Sequence, residues 1–327
     1  MKNKILFTVF MIFICVAIFS LFIGRYPRPF LLTMNLLLND ELAQQIMLNL
    51  RLPRLIGASL LGASLSAAGL IFQTFFRNPL ADTGILGINQ GAGFGAALSI
   101  VLYGTRMWFM QIFAVFFAAV SLVIVFGFVK NIKIDNRSVA ILLAGIAVSA
   151  LFSSGIGVLK YIADPLNELP SIVFWLLGDL SAITWRTIKY MAPILLICLI
   201  ILISLRWRIN ALGLQQDIIR SMGINTEVLY FLFIGIAVFI TALVTSFAGI
   251  VSWVGLIVPN IVRNFVGGNA EKTFPLVIFL GAAFTIVCDT LARSLIAGEI
   301  PLGILTAFFG ASIFGVFMIN KPIILGK

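Results

Sequence analysis

Four charged side chains in otherwise apolar surroundings set the chemical question: Arg51 and Arg54 in RLPR, Asp289 and Arg293 in CDTLAR. A guanidinium is a planar fork that binds a carboxylate through two hydrogen bonds at once. Arginines retained at an outer face can steer an acidic partner and fix its register. Equally, they can anchor helix ends at a membrane interface while their stems lie along apolar surface. Asp289 and Arg293 stand one helical turn apart, so they can neutralise each other. Catalysis has far less to work with. The chain contains no histidine, which removes histidine-ligated haem, histidine-based zinc and a Ser-His-Asp triad. It has no GxxxxGK[ST] loop, so ATP hydrolysis does not reside in it. Cys15, Cys198 and Cys288 lie far apart in apolar runs and indicate neither a disulfide framework nor a zinc site. No cofactor, bound metal or enzymatic role is expected.

The elements that position these residues must be membrane helices. Of the 327 residues, 61% are hydrophobic and 10% charged, a composition that would cover a soluble domain in apolar patches. Apolar runs near 20 residues recur, matching a hydrocarbon core of about 30 Å, and β-barrel alternation is absent. The net charge of +10 reflects lysines and arginines flanking such runs rather than a nucleic-acid surface. The pattern predicts an all-α polytopic protein forming a single domain over 1–327. Ten spans are expected, near 5–24, 53–76, 85–102, 108–129, 138–159, 190–205 and 228–247, a short one after Gly255, then 274–296 and 302–319. The first follows Lys2 and Lys4 but lacks a signal-peptide cleavage site, so it is expected to be retained. An amphipathic piece is expected around 36–48. Residues 160–180 form an outer loop whose apolar part, Ser171–Leu180, is too short to span and reads as re-entrant or interfacial.

The stretch from Arg51 to Gly95 is rich in small residues at helical spacing. In lipid, helices associate through close backbone approach rather than hydrophobic burial. Gly57, Gly62, Gly69, Gly91 and Gly95 are therefore assigned to helix packing. A nucleotide fingerprint among the glycines from 84 to 95 lacks the strand–helix context it needs.

With the N-terminus inside, thirteen cations fall on the inner side and nine on the outer, a weak positive-inside bias. The loop KNIKIDNR at 130–137 belongs to the inner side. The longest polar stretch, 206–227, is also internal and carries short amphipathic pieces with Leu214, Ile218, Ile219 and Met222, then a break at Gly223. Such a segment can lie in a partner's groove and convey a rigid-body movement. An ion-coupled secondary transporter is the competing class. It would need ionisable groups near mid-membrane, and only Asp289, beside an arginine, is available.

Taken in order, RLPR (51–54), NPLAD (78–82) with the glycines after it, AGIVSWVGLIVPNIVR (248–263), and CDTLAR with EIPLG (288–303) resemble the permease family of ATP-binding-cassette importers for iron-siderophores, haem and cobalamin. The resemblance spans nearly the whole chain. It implies a compact ten-helix subunit in a bacterial inner or plasma membrane, paired with a second copy or a paralogue. It also implies separate ATPase subunits beneath and an extracytoplasmic substrate-binding protein above. By the same resemblance Arg51, Arg54 and Arg293 dock that binding protein, and 206–227 couples to the ATPase. Ferric siderophore is the first expectation for substrate, with haem or cobalamin as alternatives. Three positions depart from the family pattern: Asn260 stands for histidine after VP, Thr83 for proline after NPLAD, and Ser312 for a frequent proline. They are expected to tune packing or substrate without changing class.

Overall fold

The computed structural model describes residues 2–26, 31–131, 137–214 and 216–320. Most of the expected cationic loop at 130–137 lies outside them. The described chain is helical: α1 (Lys2–Phe22), α2 (Met34–Asn39), α3 (Glu41–Gln45), a π-helical turn (Ile46–Arg51), α4 (Leu52–Phe76), α5 (Ile88–Tyr103), α6 (Met107–Asn131), α7 (Arg137–Ile162) and α8 (Glu168–Leu177), followed by α9 (Trp185–Ser204), α10 (Arg206–Leu212), α11 (Gln216–Ser221), α12 (Thr226–Ala248), α13 (Val254–Val266), α14 (Ala270–Leu295) and α15 (Leu302–Asn320).

Among the described residues seven helices are long and apolar enough to cross a membrane. The other three expected spans are the shorter α5, α13 and α15. For two of them the shortness has a local cause. The chain leaves α4 through Arg77 in a left-handed conformation (φ 49°) and turns through NPLAD, so α5 begins only at Ile88, after left-handed Gly87. Residues 249–253 are not helical, and α13 starts at left-handed Trp253. There the Asp82 carboxylate accepts the backbone N–H of Thr83 (2.7 Å) and that of Trp253. A carboxylate suits the amide-rich N-terminus of a helix. The outer loop helix also begins earlier than expected, at Glu168 rather than Ser171.

α4 is the axis of the molecule, with nineteen of its 25 residues buried. Its small residues let its neighbours approach at backbone distance. A β-carbon on Gly62 would collide with the Gly281 carbonyl and Thr285 hydroxyl of α14, and one on Gly69 would collide with the Gly255 carbonyl of α13. Beside Gly62 the Thr285 hydroxyl donates to the Ala58 carbonyl (2.7 Å). Gly57 makes room for the Ile183 side chain, while Gly91 and Gly95 of α5 lie against the Phe117 and Phe113 carbonyls of α6. Gly62→Val should therefore force α4 and α14 apart and destabilise the fold by roughly 1–3 kcal/mol. A thermal unfolding midpoint in detergent unchanged from wild type would contradict this packing.

α4 and α14 run side by side from one end of the bundle to the other. The end carrying the N-terminus of α4 and the C-terminus of α14 is called outer below, following the charge bias, and the opposite end inner.

Candidate functional site: an arginine cluster and a coupling surface at opposite ends

At the outer end the structure brings Arg51, Arg54 and Arg293 together but turns them inward. Sequence reasoning placed Arg51 and Arg54 near the outer surface and offered only Arg293 an internal partner, Asp289, yet Arg51 is 6% and Arg54 9% exposed. Each has acquired an internal partner. Arg54 Nε donates to Asp289 at 2.8 Å and its Nη1 to Glu299 at 2.8 Å, while Arg293 Nε lies 3.7 Å from the other Asp289 oxygen. Asp289 is thus shared by two guanidiniums, only one of which its own helix supplies.

Other donors reach the end of α1 and the chain just after it. Arg51 Nη1 donates to the Leu21 carbonyl (2.7 Å) and its Nη2 to that of Tyr26, and Arg293 Nη2 donates to the Ser20 carbonyl and hydroxyl. The last carbonyls of a helix have no partner within it and carry its negative dipole end. Two cations there satisfy both demands and complete a cluster of three guanidiniums and two carboxylates. Tyr26 extends the network: its hydroxyl donates to Asp40 (2.6 Å), the residue that caps α3, and this bond holds the Asp40 carboxyl below its ordinary range. Arg51 ends the π-helical turn and Arg54 follows in the first turn of α4, and the helix is continuous from Glu41 to Phe76, so both are carried into this cluster on one rod.

At the inner end, the 206–227 segment folds as two short helices, α10 and α11. Ile209, Leu212 and Ile219 are buried beneath them and Leu214 is half-buried, while Trp207, Ile218, Met222 and Gly223 are exposed. The five residues assigned to coupling therefore divide: Ile219 and Leu214 hold the segment down, and Ile218, Met222 and Gly223 face outward. Arg208 lies over the exposed Trp207 ring at 4.8 Å. The segment is tied to the bundle axis. Asn210 accepts the backbone N–H of Ala270 at the start of α14 (2.7 Å) and donates to Asn269 (3.1 Å), the residue that caps α14. Gly213 sits against Thr74 in the last turn of α4.

Beside this tie, Arg263 of α13 donates to Gln73 and Thr74 of α4 (2.9 Å each), and Gln73 in turn donates to the Gly255 and Leu256 carbonyls. Asn260 donates to the Pro79 carbonyl (2.7 Å), fastening α13 to the NPLAD turn. Thr83 bonds the Asp82 carboxylate, and the exposed Ser312 hydroxyl returns to its own helix at Phe308. Each of the three departures from the family pattern thus makes a hydrogen bond here. Sequence reasoning missed Glu299, Gln73 and the Asn210–Asn269 contact. Glu299 stands ten residues after Asp289, and nothing in that spacing specifies Arg54 as its partner.

Comparison with known proteins agrees with this architecture. Residues 11–320 match the FecCD transport family. The molybdate import system permease MolB of Haemophilus influenzae is 35% identical over 323 residues, covering 96% of this chain and 95% of the relative. A probable iron chelatin transport system permease of Helicobacter pylori is 34% identical, covering 84% of this chain and 83% of the relative. A solved chain assigned provisionally to a metal-chelate type ABC transporter, in an inward-facing conformation, superposes with a TM-score of 0.90 at 34% identity, covering 98% of this chain and 100% of that one. The family match spans the arginine cluster and the 206–227 segment alike, and the chain belongs to the FecCD transport family, the permeases of type II ABC importers.

Proposed function

We propose that this permease imports a metal chelate, with ferric siderophore the first candidate, using ATPase subunits at its inner end and a substrate-binding protein at its outer end. The observation that carries this reading is the pair α4 and α14. At their outer ends they hold Arg54, Asp289 and Arg293, and at their inner ends they hold the coupling segment through Thr74, Asn269 and Ala270. Two helices in backbone contact convey a displacement as a rigid pair.

Exposed Ile218, Met222 and Trp207 offer the ATPase an apolar contact. The binding protein would meet the cluster of Arg51, Arg54 and Arg293 through Arg54, whose Nη1 is held by part-exposed Glu299, since the other donors are turned inward. The iron chelatin relative and the metal-chelate structure favour a chelate, and the MolB relative makes molybdate the second reading.

Reconstitution with its ATPase and binding protein tests this directly. ATP-dependent uptake of radiolabelled ferric siderophore is expected, in preference to molybdate, haem or cobalamin. Preferred uptake of molybdate would move the substrate to an oxyanion, and uptake without any ATPase would replace the importer reading with a secondary transporter.

A further inference from the structure

The two acids of the outer cluster are held very differently. The Asp289 side chain is 3% exposed and shared by Arg54 and Arg293, so it is a permanent counter-ion. The Glu299 side chain is 37% exposed and meets the cluster through a single ion pair to Arg54 Nη1. Its backbone is left-handed (φ 52°), a conformation unfavourable for a residue with a side chain. Glu299 is therefore a solvent-accessible carboxylate on the outward branch of a buried guanidinium.

We propose that Glu299 is an internal stand-in for a carboxylate of the docking protein: it occupies Arg54 in the undocked permease and is displaced when that protein binds. The inference rests on the docking reading given above. Exchange of one carboxylate for another leaves the charge balance of the cluster unchanged. It also spares Arg54 an unpaired buried state, which is the costly alternative. Before docking, the same pair keeps the cationic site from taking up unrelated anions.

The location of Glu299 gives displacement a consequence. It sits in the link between α14 and α15, where the Ile300 N–H donates to the Ala292 carbonyl (3.0 Å) and the Leu302 N–H to the Gly178 carbonyl (2.8 Å) at the end of α8. Gly303 lies against the Leu177 carbonyl. Freeing Glu299 loosens the start of α15 and its contact with α8, so the contact that docks the partner also releases these two helices.

The test uses the complete transporter in lipid nanodiscs and its own substrate-binding protein. Glu299→Gln removes the competing charge and should tighten binding about two- to fivefold, the size expected of a part-exposed ion pair. In wild type, docking should accelerate hydrogen exchange at the Ile300 and Leu302 amides, a readout that needs no substitution. Unchanged or weaker binding by Glu299→Gln, or unchanged exchange at those amides, overturns the proposal. A wild-type Kd indifferent to salt overturns the docking reading as well, whereas a salt-sensitive Kd that Glu299→Gln leaves unaltered overturns this inference alone.

Discussion

Asp289→Ala should destabilise the folded permease by about 3–5 kcal/mol, the cost of removing one partner from a buried ion pair. Arg54 would keep only Glu299, and Arg293 would keep only the carbonyl and hydroxyl of Ser20. Neither guanidinium can leave readily, because each side chain is only 10% exposed where α1, α4 and α14 meet. Loss of the carboxylate should also loosen α1, since Arg293 reaches the last turn of α1 while its guanidinium is held by Asp289. The checks are the unfolding midpoint in detergent and the yield of assembled transporter. Replacing Arg54 and Asp289 together by apolar residues of similar volume should recover part of the loss, because no buried charge is then stranded at position 54. A wild-type midpoint in Asp289→Ala would show that the cluster is solvated and its pairing dispensable.

Gly223→Pro should abolish coupled uptake, lowering it at least about tenfold, while ATP hydrolysis by the assembled transporter continues. Gly223 closes α11 with φ 73°, its N–H donating to the Arg220 carbonyl (2.9 Å), and Asn225 then caps α12 through the N–H groups of Glu227 and Val228. Proline is locked near about −65° and has no N–H, so both features of the turn are lost. The exposed Ile218 and Met222 would then be disconnected from α12. Gly223→Ala is the control. Nothing lies within 4 Å of the new β-carbon, so only the left-handed strain of about 1 kcal/mol remains and uptake should fall little. Undiminished uptake by Gly223→Pro would remove the segment from the coupling path.

Several features were legible from local sequence because their causes are local. Apolar runs of membrane length predict helices whatever surrounds them, since a backbone in hydrocarbon must satisfy its own hydrogen bonds. The four-residue spacing of Asp289 and Arg293 places both on one helix face. Glycine after α11 marks a stop through its own dihedral freedom, whereas Pro53 does not mark a start, because the helix runs on from Glu41 through the π-helical turn. The amphipathic character of 206–227 was equally visible, and with it the existence of α10 and α11.

Tertiary structure decided which of these residues meet. Arg54 and Asp289 are separated by 235 positions and Arg54 and Glu299 by 245, and no spacing rule links residues so far apart. Their pairing follows from the close approach of α4 and α14 at Gly62 and Gly281. The same closure buries Arg51 and Arg54 and leaves Arg293 half-buried, because each finds an acid or a helix end within reach. At the inner end, packing separates Ile218 from Ile219, neighbours in sequence, into an exposed contact and a buried anchor. Where α13 begins is likewise a long-range matter: Asp82, from the turn after α4, meets the Trp253 amide, and no local signal encodes that meeting. Local physics sets which segments are helices, and the packing of small residues sets which charges are left for a partner.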